Sequence, residues 1–594
     1  MRELQYPFDS RYIIKKKKAL KRQLLEQGDN FIDKKIAVLG GSTTHDIIMI
    51  MELFLLDNGI RPQFYECEYA RYWEDVMFDN PELLDFAPDI IYIHTSNRNI
   101  RQYPLLSMTA SEVGDLLEAD YDHFFKLWGK MEDTYKCPII QNNFEYPFYR
   151  LLGNADATDF HGRVNYINRL NAKFADYACE HKDFYIQDIN YLSATYGLDK
   201  WSDPLYWHMY KYALAMEAVP VLAFNVCNII KSIYGKNKKA LALDLDNTLW
   251  GGIIGDDGVD GIEIGPETSM GQVYSEFQEY LKQQKDIGVI LNICSKNEEE
   301  NAIAGLNHPD GILKPEDFIV IKANWDPKSK NLDDTAKELN LLPEAFVFVD
   351  DNPAEREIVR EQLKVISPEI GSVEDYIRII DHSGFFEVTN LSDDDAKRNE
   401  MYKENAKRAK LEASFEDYGD YLDSLEMKGT IKNFESIYMD RIAQLSNKSN
   451  QFNLTTRRYT RNEIEQIAQA DDYIDLYGKL EDKFGDNGVV SVVIGHKQEK
   501  VLHMDLWIMS CRVLKRDMEF AMMDQLVYKA KEAGIRCIRG YYYPTPKNKM
   551  VRNFYELMGF DLVNEDDRGN REWEYVIPED YERKNHHISV NEGS

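Results

Sequence analysis

A chain of 594 residues exceeds what one hydrophobic core supports, and about three or four domains are expected. With 44% apolar and 29% charged residues it has ordinary globular composition and ample material for buried cores. A net charge of −31 excludes nucleic acid as a general partner, since that needs a basic face, and argues equally against attraction to anionic membranes. The cysteines, Cys67, Cys137, Cys179, Cys227, Cys294, Cys511 and Cys537, are scattered, odd in number and without a C-x-x-C pair. That usage fits a reducing cytoplasm rather than disulfides or a zinc site. The N-terminal MRELQYPFDSRYIIKKKK has a basic run with no apolar stretch behind it, so no signal peptide is predicted. No run of ~18 apolar residues is read, so no transmembrane helix is expected.

Residues 1–235 make the first predicted domain. Buried-type strands are read at Lys35 to Gly40, Asp89 to His94 and Pro138 to Asn143, with helical stretches between them. Strand–helix alternation predicts a doubly wound parallel sheet, whose polar strand ends (Ser42, Thr43, His94, Asn97, Asn142, Asn143) gather at one edge. This arrangement resembles the SGNH-hydrolase fold, in which a serine follows the first strand and an Asp–His pair lies near the domain's end. The chain departs from that pattern: its first block reads GGST instead of GDS, and Asp203 and His208 are five apart where D-x-x-H sets three. Ser42, Asp203 and His208 are the candidate residues, and the expected role is binding, or walling off a neighbouring site, rather than ester hydrolysis.

Residues 236–385 are the second predicted domain. The segment KKALALDLDNTLWGG from Lys238 to Gly252 reads as a buried strand ending in Asp244 and Asp246, two residues apart and so on one side of an extended chain. Two carboxylates that close repel unless a cation lies between them. Three more pieces follow: GVILNICSK, a strand ending in Ser295; NWDPKSKN, which sets Lys328 at a helix start; and AFVFVDDN, a strand ending in Asp350 and Asp351. In a parallel sheet these tips converge beyond the carboxyl ends of the strands. Acids from two strands, a hydroxyl and a lysine suit phosphoryl transfer, with a carboxylate nucleophile, Mg²⁺ held by hard oxygens, and donors for phosphate.

The order DLDNT, Ser, Lys, DD resembles the haloacid dehalogenase (HAD) superfamily of aspartate-nucleophile phosphotransferases, and DLDNTLWGG, ICSKN, NW..KS.N and FVDDNP.ER resemble its FkbH-like branch in subfamily IIIC. The resemblance implies that Asp244 attacks phosphorus. It implies that Asp246 serves as acid and then base, that Ser295 and Lys328 hold the phosphoryl group, and that Thr248 lends a supporting hydrogen bond. Asp244, the backbone carbonyl of Asp246, Asp350 and Asp351 would hold Mg²⁺. Asp244 to Ser295 is 51 residues and Ser295 to Lys328 is 33, which leaves no room for the superfamily's cap domains. Only a small flap hairpin, Trp250 to Gly265, is expected above the site. In the FkbH-like branch a cysteine matching Cys294 is implicated in taking a glyceryl group from a phosphoglycerate to a carrier-protein thiol. By strand alternation Cys294 reads equally well as an inert core residue.

Residues 386–430, dense in Asp, Glu, Lys and Arg, read as a solvated helical connector. A third domain over 431–580 is expected, followed by a tail over 581–594. Its strands are read near Gly485–Ile494, His503–Met509 and Cys537–Tyr543, with helices at Met518–Ala533 and Asn553–Phe560. That order, closing in FYELMGF, resembles the GNAT acetyltransferase fold. The family's Q/R-x-x-G-x-G/A loop binds coenzyme A pyrophosphate at a helix N-terminus. Here it runs from Arg512 to Asp517, with Lys515 and Asp517 in the glycine positions. Lys515 and Arg516 would offset the charge of Asp517, but the departures put acyl-CoA binding in doubt. The string QFNLTTRR from Gln451 reads as a basic turn that branch resemblance nudges towards function.

The expected whole is a multidomain α/β protein: an SGNH-like sheet, a capless HAD Rossmannoid core and a GNAT-like α+β domain. The leading expectation is a cytoplasmic Mg²⁺-dependent phosphatase or phosphotransferase acting on a phosphorylated metabolite. Branch resemblance points to secondary-metabolite or surface-polysaccharide synthesis. The alternatives are a glyceryl or acyl transferase working through Cys294 with a separate acyl or peptidyl carrier protein, an acyl-CoA-dependent acyltransferase in the third domain, and a non-enzymatic scaffold.

Overall fold

The computed structural model describes residues 1–27, 31–391, 396–412, 414–449 and 451–591. The chain divides into two compact units, Met1–Ile233 and Tyr234–Ser594. It is a mixed α/β multidomain protein with parallel sheets in both units.

In the first unit β1 (Ile32–Gly40), β2 (Ile60–Glu66), β3 (Ile90–His94), β4 (Ile139–Asn142) and β5 (Phe184–Gln187) form one sheet in the order β2-β1-β3-β4-β5. Every pair is parallel. β3 and β4 are buried along their whole length, as continuous apolar runs in a parallel sheet covered on both faces should be. The stretch Met216–Ile233, with a mean hydropathy of 1.3, is long and apolar enough to cross a membrane, which corrects the reading that no such run exists. In the structure it is a core helix: Val219, Leu222, Val226 and Ile230 are all buried.

In the second unit β6 (Ala240–Leu243), β7 (Ile290–Ser295), β8 (Val320–Ala323) and β9 (Phe346–Val349) form a four-stranded parallel sheet, β8-β7-β6-β9. The period-two alternation sorts its side chains into two layers. Leu241, Leu243, Leu291, Ile293, Val347 and Val349 pack in one. Ala240, Ala242, Ile290, Cys294, Phe346 and Phe348 pack in the other. Each fully buried aliphatic or phenyl side chain contributes about 1.5–3 kcal/mol, so the strand tips stand on a rigid base.

The last sheet has eight strands: β10 (Lys428–Lys432), β11 (Tyr473–Asp482), β12 (Gly485–Gln498), β13 (Val501–Met509), β14 (Cys537–Tyr542), β15 (Asp561–Glu565), β16 (Arg571–Val576) and β17 (Ser589–Asn591), in the order β15-β16-β14-β13-β12-β11-β10-β17. The connector helix Arg398–Glu412 is not simply solvated. Tyr402 enters the core of the four-stranded sheet, Asn399 donates to the carbonyls of Lys285 and Val289, and buried Arg408 pairs with Asp482 at 2.7 Å. It is a bridge packed on both sheets of this unit.

Candidate active site

Asp244 leaves the end of β6 and Asp350 the end of β9, continuing the side-chain parity of Ala242 and Phe348. Neighbouring parallel strands therefore carry both carboxylates to one point. One ligand oxygen each from Asp244, Asp350 and Asp351 lies within 4.8 Å of the others. Lys328, the first residue of the helix Lys328–Glu338, puts its ammonium between them, 2.9 Å from Asp244 and 2.6 Å from Asp350. A lysine at a helix N-terminus opposes the helix dipole, so this placement is held by the two carboxylates and not by helix preference. Its side chain is only 4% exposed.

Burial raises the Asp350 carboxyl, helped by the Asp244 charge, to about 6, and raises Asp351 in the same way. For Lys328 burial alone would lower the pKa, but Asp244 and Asp350 outweigh it and hold the ammonium charged. Three carboxylates against one ammonium leave an uncompensated negative charge on hard oxygens, the donor set that Mg²⁺ takes. The residues fit that ion.

Asp246 stands apart from this cluster. Its Oδ1 accepts from the Trp250 indole at 3.0 Å and the Ile254 amide at 3.1 Å, and its Oδ2 accepts from Asn297 Nδ2 at 3.0 Å. The carboxylate is thus turned to these donors and lies outside the acid cluster, and the metal contact expected of Asp246 is through its backbone carbonyl. Burial raises its pKa, against the lowering effect of the Ile254 and Trp250 donors. Trp250 and Asn297 were not singled out as site residues, although both lie in the quoted strings. Trp250 is seated by Gly305, where a Cβ would come within 2.7 Å of the indole. Asn247, in the left-handed region at φ 54°, turns the chain so that its Oδ1 accepts from the Gly252 amide at 3.1 Å. The flap is closed by paired hydrogen bonds between Gly251 and Glu263. It carries a helical turn, Ile254–Asp257, because Asp257 accepts from the Ile253 amide; a plain hairpin is not formed.

Ser295 ends β7 beside this cluster, and its carbonyl accepts from the Asn324 amide at 3.2 Å, joining the loop that carries Lys328. Thr248 Oγ1 accepts from the Asp351 amide at 3.2 Å, which ties it to the acid loop. Arg356 does likewise, donating to the carbonyls of Asp350 and Asp351 at 2.7 and 2.8 Å. In the loop before Lys328, Trp325 is 68% exposed, yet its indole donates to Glu298 at 2.6 Å, which holds the ring in place.

Cys294 lies in the layer beneath the carboxylates, buried, with its thiol against the Lys328 carbonyl at 3.4 Å. Burial pushes the thiol up to about 12 despite the nearby ammonium, so no thiolate is poised there. Cys294→Ala is expected to leave phosphatase turnover within about threefold, the cost of a small packing defect. A steady-state assay checks this, and loss of turnover with intact folding would return the thiol to the chemistry.

The other candidate sets are not brought together. Ser42 is buried and its Oγ has no hydrogen-bond partner. Asp203 caps the helix Pro204–Tyr210 through the Leu205 and Tyr206 amides, and His208 is exposed in that helix's last turn. No hydrogen bond links the three. In the Arg512–Asp517 loop, Lys515 and Asp517 adopt φ of 65° and 62°, the left-handed conformation that glycine supplies in the pattern. Arg512 is engaged by Ser510 and Met401, and Arg516 by Asp482 at 3.3 Å and Asn405 at 2.8 Å. Only Lys515 is exposed. The Arg512 and Arg516 side chains are thus taken up within the fold, and Lys515 is the loop's exposed cation.

A four-stranded parallel sheet with an acid cluster at its carboxyl edge defines a HAD-like core. The family model described as FkbH, N-terminal domain, matches residues 35–231. The chain is similar to the N-terminal part of the protein BF1531 from Bacteroides fragilis, containing a phosphatase domain complexed with Mg. The two are 28% identical, the match covers 64% of this chain and 99% of that one, and the TM-score is 0.58. Ard1 from Thermoplasma volcanium (18% identity, 25% of this chain and 99% of that one, TM-score 0.21) and the spermidine N-acetyltransferase from Vibrio cholerae in complex with CoA and spermine (12%, 25% and 96%, TM-score 0.21) are also similar. No curated protein matches the chain.

Proposed function

We propose that this protein is a Mg²⁺-dependent phosphatase or phosphotransferase that works through an aspartyl phosphate on Asp244. The observation that carries this reading is the convergence of Asp244, Asp350 and Asp351 within 4.8 Å, with Lys328 reaching both buried acids. The likeness to a Mg-complexed phosphatase domain supports it. An Asp244 oxygen attacks phosphorus while the bond to the leaving oxygen breaks, and Asp246, kept protonated to higher pH by burial, gives that oxygen its proton. In the second half Asp246 takes a proton from the incoming water or acceptor hydroxyl, which attacks the aspartyl phosphate and frees Asp244. Lys328 and the Ser295 hydroxyl bind the phosphoryl oxygens. Trp250, Asn297 and the Ile254 amide orient Asp246 throughout. Asp244, Asp350 and Asp351 would hold Mg²⁺, which would supply charge neutralisation between carboxylate and phosphate. The substrate is a phosphorylated metabolite, with Trp325 offering a ring face to its leaving group. Its pathway, by resemblance to the FkbH-like branch, is secondary-metabolite or surface-polysaccharide synthesis.

A screen of phosphorylated metabolites with Mg²⁺ and then EDTA tests this: turnover should appear with the metal and vanish with the chelator. The same titration has a thermal readout. The unfolded Asp350 carboxyl loses its proton near its ordinary value while the folded one holds it to about 6, so metal-free stability falls as pH rises through that window. Mg²⁺ competes with the proton for the same oxygens, so its gain in Tm should grow as pH rises through about 6. EDTA-insensitive turnover, or a Mg²⁺ gain that shrinks with pH, would contradict the reading.

A further inference from the structure

In the C-terminal sheet the parallel pairing of β13 with β14 covers only Val501–His503 against Cys537–Arg539, after which the strands part. The chain itself fills the gap. The Phe452 carbonyl accepts from the Met509 amide, the Leu454 amide donates to Trp507, and the Leu454 carbonyl accepts from Tyr543. The same segment carries Thr455 and Arg457 onward to the wall of a cleft of about 480 Å³.

The cleft is built rather than incidental. β12 and β13 pair Ile494 with Leu506 and Gly495 with Met504, which leaves Asp505 as the extra residue of a bulge, a device that re-aims a side chain. Its carboxylate, 17% exposed, is pinned by Arg457 at 2.6 Å, and Thr455 Oγ1 donates to its carbonyl at 2.6 Å. Half of the lining is aromatic or imidazole. His503 and Tyr541 lie nearly parallel, 11° apart, with Nδ1 and the phenol oxygen at 2.7 Å; Tyr543 continues the row, 25° from Tyr541. Across from them Tyr473 packs on His496, which Asp472 holds at 3.1 Å. The one full cation, Arg457, is paired with the one full anion, Asp505, and no lysine lines the cleft.

We infer that this cleft binds a neutral polyhydroxylated ring, a pyranose unit of a carbohydrate. Ring walls offer flat faces to the C–H face of a sugar, while the Asp505–Arg457 pair and the Gln498 amide offer paired acceptors and donors to neighbouring hydroxyls. A phosphate or nucleotide would need an uncompensated cation, which the lining does not have. Burial lowers the His503 pKa, so that imidazole stays uncharged at neutral pH, consistent with an uncharged ligand. The volume is in the range of small-ligand sites, about 300–1,000 Å³.

The test uses the full chain, with saturation-transfer NMR and calorimetry on the methyl β-pyranosides of glucose, galactose and N-acetylglucosamine, and on adenosine and inorganic phosphate. At least one glycoside should bind, and Asp505→Asn and Tyr543→Ala should each weaken it by about tenfold or more. Tyr543 is partly exposed, so its truncation spares the fold, and both variants should keep wild-type phosphatase turnover. No binding by any of the three glycosides, equal binding by wild type and both variants, or preference for adenosine or phosphate would overturn the inference.

Discussion

Asp244→Asn is expected to lower phosphatase turnover by at least about 10³-fold, because an amide oxygen is a poor nucleophile and nothing nearby replaces it. Cys294 lies a layer below with its thiol protonated, and Asp246 is held towards Trp250, Ile254 and Asn297. The substitution keeps the volume of the side chain and leaves Lys328 its 2.6 Å pairing with Asp350. It also removes one of three crowded carboxylates, so Tm should hold or rise. Steady-state kinetics beside a thermal melt separates lost chemistry from lost folding. Turnover within tenfold of wild type would reject Asp244 as the nucleophile.

Lys328→Met should be damaging in both respects. It strands Asp244 and the fully buried Asp350 without a counter-cation, and breaking a buried pair this way typically costs about 3–5 kcal/mol. The loss is pH-dependent with a definite sign. Below about 6 the Asp350 carboxyl is largely protonated and the missing ammonium matters less; without Lys328 the carboxyl holds its proton to still higher pH, so the penalty grows as pH rises from about 6. Denaturant melts at pH 5 and pH 8 should therefore diverge, with the variant weaker at pH 8, and Mg²⁺ should restore part of the difference. Turnover should also fall by about 10²-fold or more, since a charged donor to the phosphoryl oxygens is gone. Equal stability of variant and wild type at pH 8 would contradict the bridging role of Lys328.

The sequence is most legible where the chemistry sits on strand tips. Asp244 and Asp350 each end a short apolar run, and the period of two fixes the side on which their carboxylates leave the sheet. The same rule left Cys294 open, because parity alone puts it on the same side as Asp244 and only depth separates the two. Groups that act across loops carry no such local signal. Trp250 and Asn297 reach Asp246 from positions four and fifty-one residues later, and Gly305 shapes the indole's seat from a separate helix. Long-range pairing likewise decides Arg408, which reads as solvated, and Arg512 and Arg516, which read as loop cations facing a phosphate, until Asp482, Asn405 and Met401 are placed beside them. In the C-terminal sheet β11 was missed: Asp475, Gly478 and Lys479 interrupt its alternation, and its burial comes from both neighbouring strands. The Gln451–Arg458 segment has no periodicity at all, since its backbone bonds to β13 and to the residue after β14 fix its course.

Chemical trapping of the phosphoryl group tests the central claim most directly. Enzyme turning over with Mg²⁺ and substrate is quenched in acid, digested and mapped by mass spectrometry. A hydroxylamine-labile phosphoryl group on the peptide containing Asp244, absent from Asp244→Asn, is the predicted result. Phosphoryl found on another side chain, or quenched enzyme free of it although stopped-flow data show a first-turnover burst of released leaving group, would contradict the account.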